Sequence, residues 1–485
     1  MSQNAASLES PDAVVVGSGP NGLAAAITLA KAGKSVVVLE ANETIGGAAR
    51  SAELTEPGFV HDLGSAIHPM VRASSFFKGI YSELVDHGLE WVDPPAGAAH
   101  PLDDGRAGIA WRDFDRTIDG LGEDGAAYRR YYKPWIDNAD ALIDLALNPL
   151  LRVPGNPLIG ARFGAKAALP AATTAGRTWQ SDEAQALFAG HAAHSIMPLT
   201  APFTSSFGVL LGALVHSSGW GFPAGGAQSL VDAMASLLRS MGGEIRTGHP
   251  VMSMDDIPAA RATIFSLSPS QIESIVGPRF PSKYRGRLNR WRYGAGAFKV
   301  DYALQEPIPW TNPDVGQAGT VHLGGTLAEI IEAEAEVDGG KHAERPFVLL
   351  AQHSTFDPSR APEGKHTAWA YCHVPNGSTV DQTEAIEGQI ERFAPGFRGT
   401  VLSRHTTTTE MLEAGNMNLI GGDIGGGSYS GTQLFARPMA QSNPFDTADP
   451  EIFLGSASTT PGAGVHGMSG AGAAKRALEK VFNTP

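Results

Sequence analysis

The chain has 485 residues, long enough for two or three domains around a sizeable core. Its 36 Lys plus Arg against 50 Asp plus Glu give a formal charge of -14, which argues against nucleic acid as a partner and against electrostatic docking on anionic lipid, so membrane contact is expected to be apolar if it occurs. The single cysteine, Cys372, excludes an internal disulfide, a Cys-x-x-Cys redox pair and a multi-thiolate metal site.

Residues 1–11 carry no apolar signal segment, and the longest uninterrupted apolar stretch, 207–215, is too short to span a bilayer. A cytoplasmic protein is expected, with peripheral membrane association and homo-oligomerisation left open. Val14, Val15 and Val16 read as a buried strand, and Gly17-Ser18-Gly19-Pro20-Asn21-Gly22 follows at once, opening an Ala-rich helix that runs toward Gly33. Gly17 permits a tight turn, Gly19 clears the approach of a pyrophosphate, and Gly22 lets the helix pack close to the sheet. The helix N-terminus then presents free N–H groups to the phosphates. A second strand, Val36 to Leu39, ends in Glu40 and Ala41, and Glu40 lies about 20 residues past the turn, where an acid accepts hydrogen bonds from the ribose hydroxyls of an adenosine. These features together specify a dinucleotide site.

Just beyond come Ile45-Gly46-Gly47-Ala48-Ala49-Arg50 and Asp62-Leu63-Gly64-Ser65. A Gly-Gly pair opening a second short helix, with a basic residue after it, suits a larger dinucleotide lying extended across the domain, which points to FAD. Here the first 65 or so residues resemble the FAD-binding segment of the flavoprotein superfamily that holds the amine oxidases and phytoene desaturases. That resemblance places Gly46, Gly47 and Arg50 near the pyrophosphate, and Gly64 and Ser65 near the flavin.

From about 76 to 218 the pattern is of helical segments rich in Ala and Leu, with Tyr128, Tyr131, Tyr132 and Trp135 closely spaced. Such an insertion usually covers a substrate cavity, although each aromatic taken singly reads more simply as core. His191 and His194 sit three apart but no third ligand lies at metal spacing, so no metal is expected. Trp220 and Phe222 precede the turn Pro223-Ala224-Gly225-Gly226 and are candidates for an apolar substrate wall. This turn, its helix and the strand after it resemble the return of phytoene desaturase relatives to the FAD domain, which would set the backbone of Val251 against the adenine. The chain departs from that pattern by reaching Ala262-Thr263-Ile264-Phe265 without a longer antiparallel excursion.

Phe298, Val300 and Tyr302 alternate as one apolar face of a strand. The segment resembles the strand on which amine oxidases place a lysine near flavin N5, making Lys299 the catalytic candidate beside the plainer reading of a solvent-facing lysine. Residues 326–337 read as an acidic helix with a solvated charged face. The block Asp357 to His366, containing Ser359-Arg360-Ala361-Pro362-Glu363-Gly364, resembles the phytoene desaturase and carotenoid isomerase branch and is read as a family mark rather than as chemistry. Gly421 to Gly427 reads either as a loop bordering flavin or substrate, or as a mobile surface loop.

The final stretch, Ile452 to Met468, closely resembles the same branch and is read as the strand and turn that bring the chain back to FAD, with Gly455, Ser456, Gly464, Val465 and His466 at the cofactor. Its Gly462-Ala463-Gly464-Val465-His466-Gly467 cannot start another βαβ unit, because the chain stops too soon. Ser456 stands where many relatives carry aspartate, and no cysteine lies nearby, so FAD is expected to be non-covalent. The resemblance covers nearly the whole chain. It implies an α/β fold with a Rossmann-like FAD-binding domain (10–75, 222–285 and 440–485) interlaced with an α+β substrate domain (76–221 and 286–439). It further implies an FAD-dependent dehydrogenase or oxidase, desaturase-like, acting on C–H or C–C bonds of an apolar, isoprenoid- or lipid-like substrate by hydride transfer to flavin N5. The electron acceptor would be oxygen, a quinone or another carrier. The alternatives are a reduced-flavin double-bond isomerase or saturase, and a non-catalytic lipid-binding protein on the same scaffold.

Overall fold

The computed structural model describes residues 10–149 and 155–483. β1 (Ala13–Val16) and β2 (Val36–Leu39) flank the helix Pro20–Lys31, and a hairpin of β3 (Ser51–Glu53) and β4 (Val60–Asp62) follows. Next come β5 (Trp91–Val92), β6 (Ala96–Pro101) and β7 (Ala107–Trp111), a series of helices, and β8 (Phe222–Pro223). The later strands are β9 (Glu244–Arg246), β10 (Ala262–Phe265), β11 (Gly296–Leu304), β12 (Ala318–Leu323), β13 (Val348–Ala351), β14 (His366–Val374), β15 (Val401–Thr407) and β16 (Ile452–Leu454).

Two sheets organise these strands. The first has the order β16-β10-β1-β2-β9, and all its pairings are parallel. Parallel strands are covered on both faces, which is why they read as unbroken apolar runs rather than alternating ones. Val15, Val38 and Ile264 pack with residues of the helices Pro20–Lys31, Ala227–Ser240 and Met468–Val481, while Val14, Val37 and Phe265 pack on the other side with Ile272 and Val276. This is a Rossmann-like α/β sheet. Its helices approach closely because two glycines allow it: a Cβ on Gly22 would overlap the Gly17 carbonyl oxygen, and one on Gly470 would overlap that of Asn21.

The second sheet has the order β15-β11-β14-β13-β12-β6-β7, antiparallel except between β12 and β6. On one face Phe298, Val300, Tyr302, Val321, Ala370 and Cys372 pack with Ile386 and Ile390 of the helix Thr383–Phe393. The other face of β11 carries Lys299 and Asp301, opposite Tyr371 and Trp369 of β14.

Two sequence expectations give way to tertiary structure. Residues 91–111, inside the stretch expected to be helical, form β5, β6 and β7. The Ala-Gly-Ala-Ala of β6 favours helix by composition, but its pairing with β12 overrides that preference, and a Cβ on Gly97 would come within 2.7 Å of the Trp220 Cβ. The acidic helix, Leu327–Asp338, does not place all its charges in solvent: Glu334 is buried and accepts from His373 Nδ1 at 2.9 Å. Tyr128, Tyr131, Tyr132 and Trp135 are buried in one apolar cluster with Trp179 and Phe188, so here the core reading holds. No helix among the described residues is long and apolar enough to cross a membrane.

The glycine geometry separates two substitutions that look alike in sequence. Gly22→Ala inserts a Cβ against main chain and is expected to cost at least about 2 kcal/mol of stability. Gly164→Ala, in a helix with no atom near the new Cβ, is expected to stabilise by about 0.5–1 kcal/mol. Urea denaturation of both variants checks the contrast.

Candidate functional site

The glycine turn after β1 places Gly17 at φ +99° and makes Gly19 the N-cap of the helix Pro20–Lys31. That cap has no side chain, no acid stands in the first turn, and Pro20 occupies the first helical position. The N-terminal N–H groups and the positive dipole end are thus left for an anion. Opposite lies the second glycine turn, Gly46 at φ +121° and Gly47 at φ +58°, where a Cβ on Gly47 would sit 3.1 Å from the Gly19 Cα. Arg50 fastens this turn by donating from Nε to the Gly47 carbonyl at 2.9 Å and from its terminal nitrogen to that of Gly415 at 2.6 Å.

Glu40, at the end of β2, is 5 % exposed. One carboxylate oxygen accepts from Ser18 N and Oγ at 2.9 and 2.6 Å, the other from Asn42 N and Nδ2 at 2.9 and 3.1 Å. Two of these four donors are side chains, the Ser18 hydroxyl, which also accepts from Gly46 N at 3.2 Å, and the Asn42 amide. Ala41 adjoins it, His249 N donates to the Glu40 carbonyl at 2.8 Å, and Val251, two residues on, is buried in the apolar cluster that also holds Val37 and Leu39.

The C-terminal segment meets this turn directly. Gly470 N donates to Asn21 Oδ1 at 3.4 Å, joining the first turns of the helices Met468–Val481 and Pro20–Lys31. Gly455 continues β16, donating to the Phe265 carbonyl at 2.9 Å, and Ser456 turns its Oγ onto Ser458 N at 3.2 Å. Gly464 is exposed and Val465 half-buried. His466 is fully buried, and because its Nδ1 accepts from Met468 N at 3.0 Å, its proton sits on Nε2 and is donated to the Gly462 carbonyl at 3.1 Å.

Behind the 64–65 segment lies a buried charge junction. Asp62 Oδ1 accepts from Ser51 Oγ at 2.6 Å and from Ala227 N, the first residue of the helix Ala227–Ser240, at 2.8 Å. Its Oδ2 accepts from Arg360 at 2.7 Å, and its carbonyl accepts from Lys299 Nζ at 3.1 Å. Lys299 is 2 % exposed, which excludes the solvent-facing reading, and its ammonium is also hydrogen-bonded to the Asp301 carboxylate. Two cations and two carboxylates therefore balance in a site closed to water. Burial opposes ionisation of Asp62, but Arg360 and the donors around it hold its carboxyl well below the usual range. For Asp301 burial outweighs Lys299, and its carboxyl is pushed up. Burial, with the neighbouring cations, lowers His61 to about 3 and His353 to about 4, so both are neutral at pH 7.

The block read as a family mark turns out to be a clamp: Arg360 grips Asp62, and Asp357 accepts from Gly225 N of the Gly-Gly turn at 2.8 Å. Beside the junction, Gly64 approaches the Ala48 carbonyl too closely for any Cβ, and Ser65 N donates to that carbonyl at 2.9 Å. Ala66 packs in an apolar cluster with Leu349, Ala351, Trp369, Tyr371 and Leu412. Trp220 and Phe222 are both buried, and Phe222 reaches the junction through His353, whose Nε2 lies 3.7 Å from Asp62 Oδ2. Trp220 is buried, donates to Thr320 Oγ1 at 2.9 Å and packs edge-on to His191, while the Phe222 ring packs edge-on to His353. The loop of residues 421–427 is mostly buried, with Asp423 accepting from Gly425 N and Gly427 N, and Arg437 donating to the Gly426 and Ala457 carbonyls at 3.0 and 3.3 Å. It thereby adjoins the segment after Ser456. His191 donates to the Leu187 carbonyl and His194 pairs with His322; among the described residues no group of three or more His, Cys, Asp or Glu could hold a metal ion.

Sequence reading did not single out Asp301, Trp369 or Tyr371. Asp301 shares a strand face with Lys299 by simple alternation, a signal that was there to be used. Trp369 and Tyr371 join that face only through the β11–β14 register, which is a long-range pairing.

Residues 15–84 match the model of the NAD(P)-binding Rossmann-like domain. Over nearly its full length the chain is similar to pyridine nucleotide-disulfide oxidoreductase domain-containing protein 2 of Rattus norvegicus, at 26% identity over 97% of this chain and 94% of the relative. It is also 25% identical to the lycopene-forming phytoene desaturase of Pantoea ananas, over 96% of this chain and 98% of that protein. The phytoene desaturases are its homologues. Among solved structures, an oxidoreductase from Methanosarcina mazei matches with a TM-score of 0.65 at 17% identity, over 96% of this chain and 100% of that one, which speaks for the shared fold.

Two measurements follow from the buried junction and the histidines. Asp62→Asn removes the charge facing Arg360 and is expected to cost about 3–5 kcal/mol of stability in urea. His61, His68, His100, His191, His353 and His466 are all buried and lowered to about 3 or 4, chiefly by burial. The unfolded chain binds protons at these imidazoles below pH 6.5 while the folded chain does not, so stability present at pH 7 is lost as pH falls toward 4. Each contributes a slope of up to about 1.4 kcal/mol per pH unit. Urea midpoints at pH 7, 6 and 5 should fall steeply, and a flat profile would contradict the neutral burial of these rings.

Proposed function

We propose that this chain is an FAD-dependent oxidoreductase that oxidises a C–H bond of an apolar, isoprenoid- or lipid-like substrate. The observation that carries the reading is the meeting of three parts at one edge of the parallel sheet: the helix end without a side-chain cap at Gly19, the ribose-type acid Glu40, and the C-terminal segment around Ser456 joined to them through Asn21 and Gly470. These residues fit a dinucleotide. Gly19 clears the space for a pyrophosphate, Gly17 and Gly22 allow the turn and the close helix, Glu40 accepts ribose hydroxyls and repels a 2′-phosphate, and Gly46, Gly47 and Arg50 close over the second half. FAD supplies a two-electron acceptor whose N5 takes hydride from carbon.

The chain's own residues set the conditions. Ala66, Trp369, Tyr371 and Leu349 form an apolar layer beside the 64–65 turn that excludes water and suits a hydrocarbon. Lys299 holds a positive charge at Nζ behind that turn, with two of its three N–H donors engaged by Asp62 and Asp301. The similarity to a phytoene desaturase supports an isoprenoid-like substrate. With one nucleotide fingerprint in the chain, the electrons pass onward to oxygen, a quinone or another carrier.

The test is anaerobic mixing of the FAD-loaded protein with a detergent-dispersed linear polyene or, separately, a primary amine. Bleaching of the visible flavin band by the polyene alone is expected, slowed at least about tenfold in Lys299→Met. Bleaching by the amine alone would overturn the substrate class.

A further inference from the structure

The sheet face that carries Lys299 continues well beyond it. Register sets Lys299 of β11 beside Tyr371 of β14, Tyr371 beside Leu349 of β13, and Leu349 beside His322 of β12, so the strands present one transverse row. The row starts at a charge, crosses an aromatic and an aliphatic residue, and ends at an imidazole three strand spacings away, about 14 Å. Other histidines gather at that far end. His191, in the helix Asp182–Ala193, and His194, at its end, lie edge-on to the His322 ring at 5.4 and 5.1 Å and edge-on to Trp220 at 5.6 and 6.2 Å. The Phe347 ring lies 5.8 Å from His322 and 6.1 Å from His373, which follows Tyr371 on the same face of β14. His100 joins from β6, the neighbour of β12. His100, His191 and His322 are all fully buried.

The hydrogen-bonding capacity of these rings is half used. His191 Nδ1 donates to the Leu187 carbonyl at 2.8 Å, His100 Nε2 to that of Gly325 at 2.7 Å, and His373 Nδ1 to the Glu334 carboxylate at 2.9 Å. The opposite nitrogens, His191 Nε2, His100 Nδ1 and His373 Nε2, are buried with no hydrogen-bond partner among the described residues. His322 Nδ1 is also unpartnered, but Gly190 closes it off: a Cβ there would lie 2.5 Å away. Burial lowers His100 and His191 to about 4, so both rings are neutral at pH 7 and their open nitrogens are lone-pair acceptors. Protonation of His194 is opposed first by burial and then by His191 and His373 beside it. Buried polar atoms almost always find a partner, so several open ones in a single cluster mark a place built to receive a polar group.

Lone pairs discriminate among ligand chemistries. A hydrocarbon brings no donor, and a carboxylate or ketone brings only acceptors. An ammonium would bury a charge where Glu334 is already engaged by His373. A hydroxyl brings an O–H to donate and lone pairs to accept. We propose that this histidine cluster receives a hydroxyl at one end of the substrate, which is therefore a long apolar alcohol rather than a pure hydrocarbon. Tyr371 and Leu349 then lie along its chain, and the reacting carbon lies toward the Lys299 end of the row. Trp220, expected from the sequence to wall an apolar substrate, stands at the hydroxyl end, with its own N–H satisfied by Thr320. The inference rests on the oxidoreductase reading above and narrows its substrate class.

Equilibrium dialysis of the FAD-loaded chain against radiolabelled geranylgeraniol, its counterpart lacking the hydroxyl and the matching carboxylic acid tests this through binding alone. The alcohol is expected to bind at least about tenfold more tightly than either of the others. His191→Leu and His100→Leu each remove one open acceptor and should lower that preference toward one, with hydrocarbon affinity, FAD content and circular dichroism unchanged. His191→Gln, which restores a polar end, should recover part of the preference, as a purely structural role for the ring would not require. Equal binding of alcohol and hydrocarbon by the wild-type chain, binding of neither, or an undiminished preference in both leucine variants would overturn the inference. Should a variant fail to fold, the wild-type comparison decides by itself. The oxidoreductase reading is judged separately, by bleaching of the flavin band, so the two can fail independently.

Discussion

Asp62, fully buried, touches four separate parts of the chain: through its carboxylate Ser51 of its own hairpin, the start of the helix Ala227–Ser240 and Arg360 of the turn before β14, and through its main-chain carbonyl Lys299 of β11. A buried carboxylate persists only where its acceptor sites are filled, and here each filling donor comes from a different segment. The junction therefore sets the spacing between the parallel sheet and the seven-stranded sheet. Gly64, Ser65 and Ala66 follow within four residues, so the segment proposed to border the flavin is positioned by the same contacts. Lys299 and Asp301 face it from β11, and Trp369 and Tyr371 stand opposite them on β14.

The nucleotide end works by a different principle. Its turns are built from absences: no Cβ at Gly22 or Gly470, no capping side chain at Gly19, and no acid in the first turn of the helix. What remains is main-chain N–H and a dipole end, the features that suit a phosphate without a dedicated cation. Glu40 is the residue proposed to meet the ribose, and in the structure its lone pairs are held by Ser18 and Asn42.

How much of this was legible in the sequence depended on range. The glycine turn, Glu40 and the second Gly-Gly pair are local patterns, and the parallel sheet follows from them together with the short apolar strands. β6 and β7 were missed because an Ala- and Gly-rich stretch becomes a strand only when β12 lies beside it. Arg360 was visible as a residue but not as a clamp, since its partner is about 300 positions away in the chain. Glu334 looked solvated because its partner, His373, comes from a different element. The aromatic layer of Trp369 and Tyr371 became apparent only with the register of β14 against β11.

Titration of the purified chain with FAD, followed by flavin fluorescence and compared with NAD, tests the dinucleotide site most directly. One FAD per chain is expected, with NAD unable to displace it, and Gly19→Val, which would put a branched side chain at the helix end where the pyrophosphate is to lie, should abolish binding while leaving the circular dichroism unchanged. A chain that binds no FAD, or that binds FAD equally well with valine at position 19, would contradict the site described here.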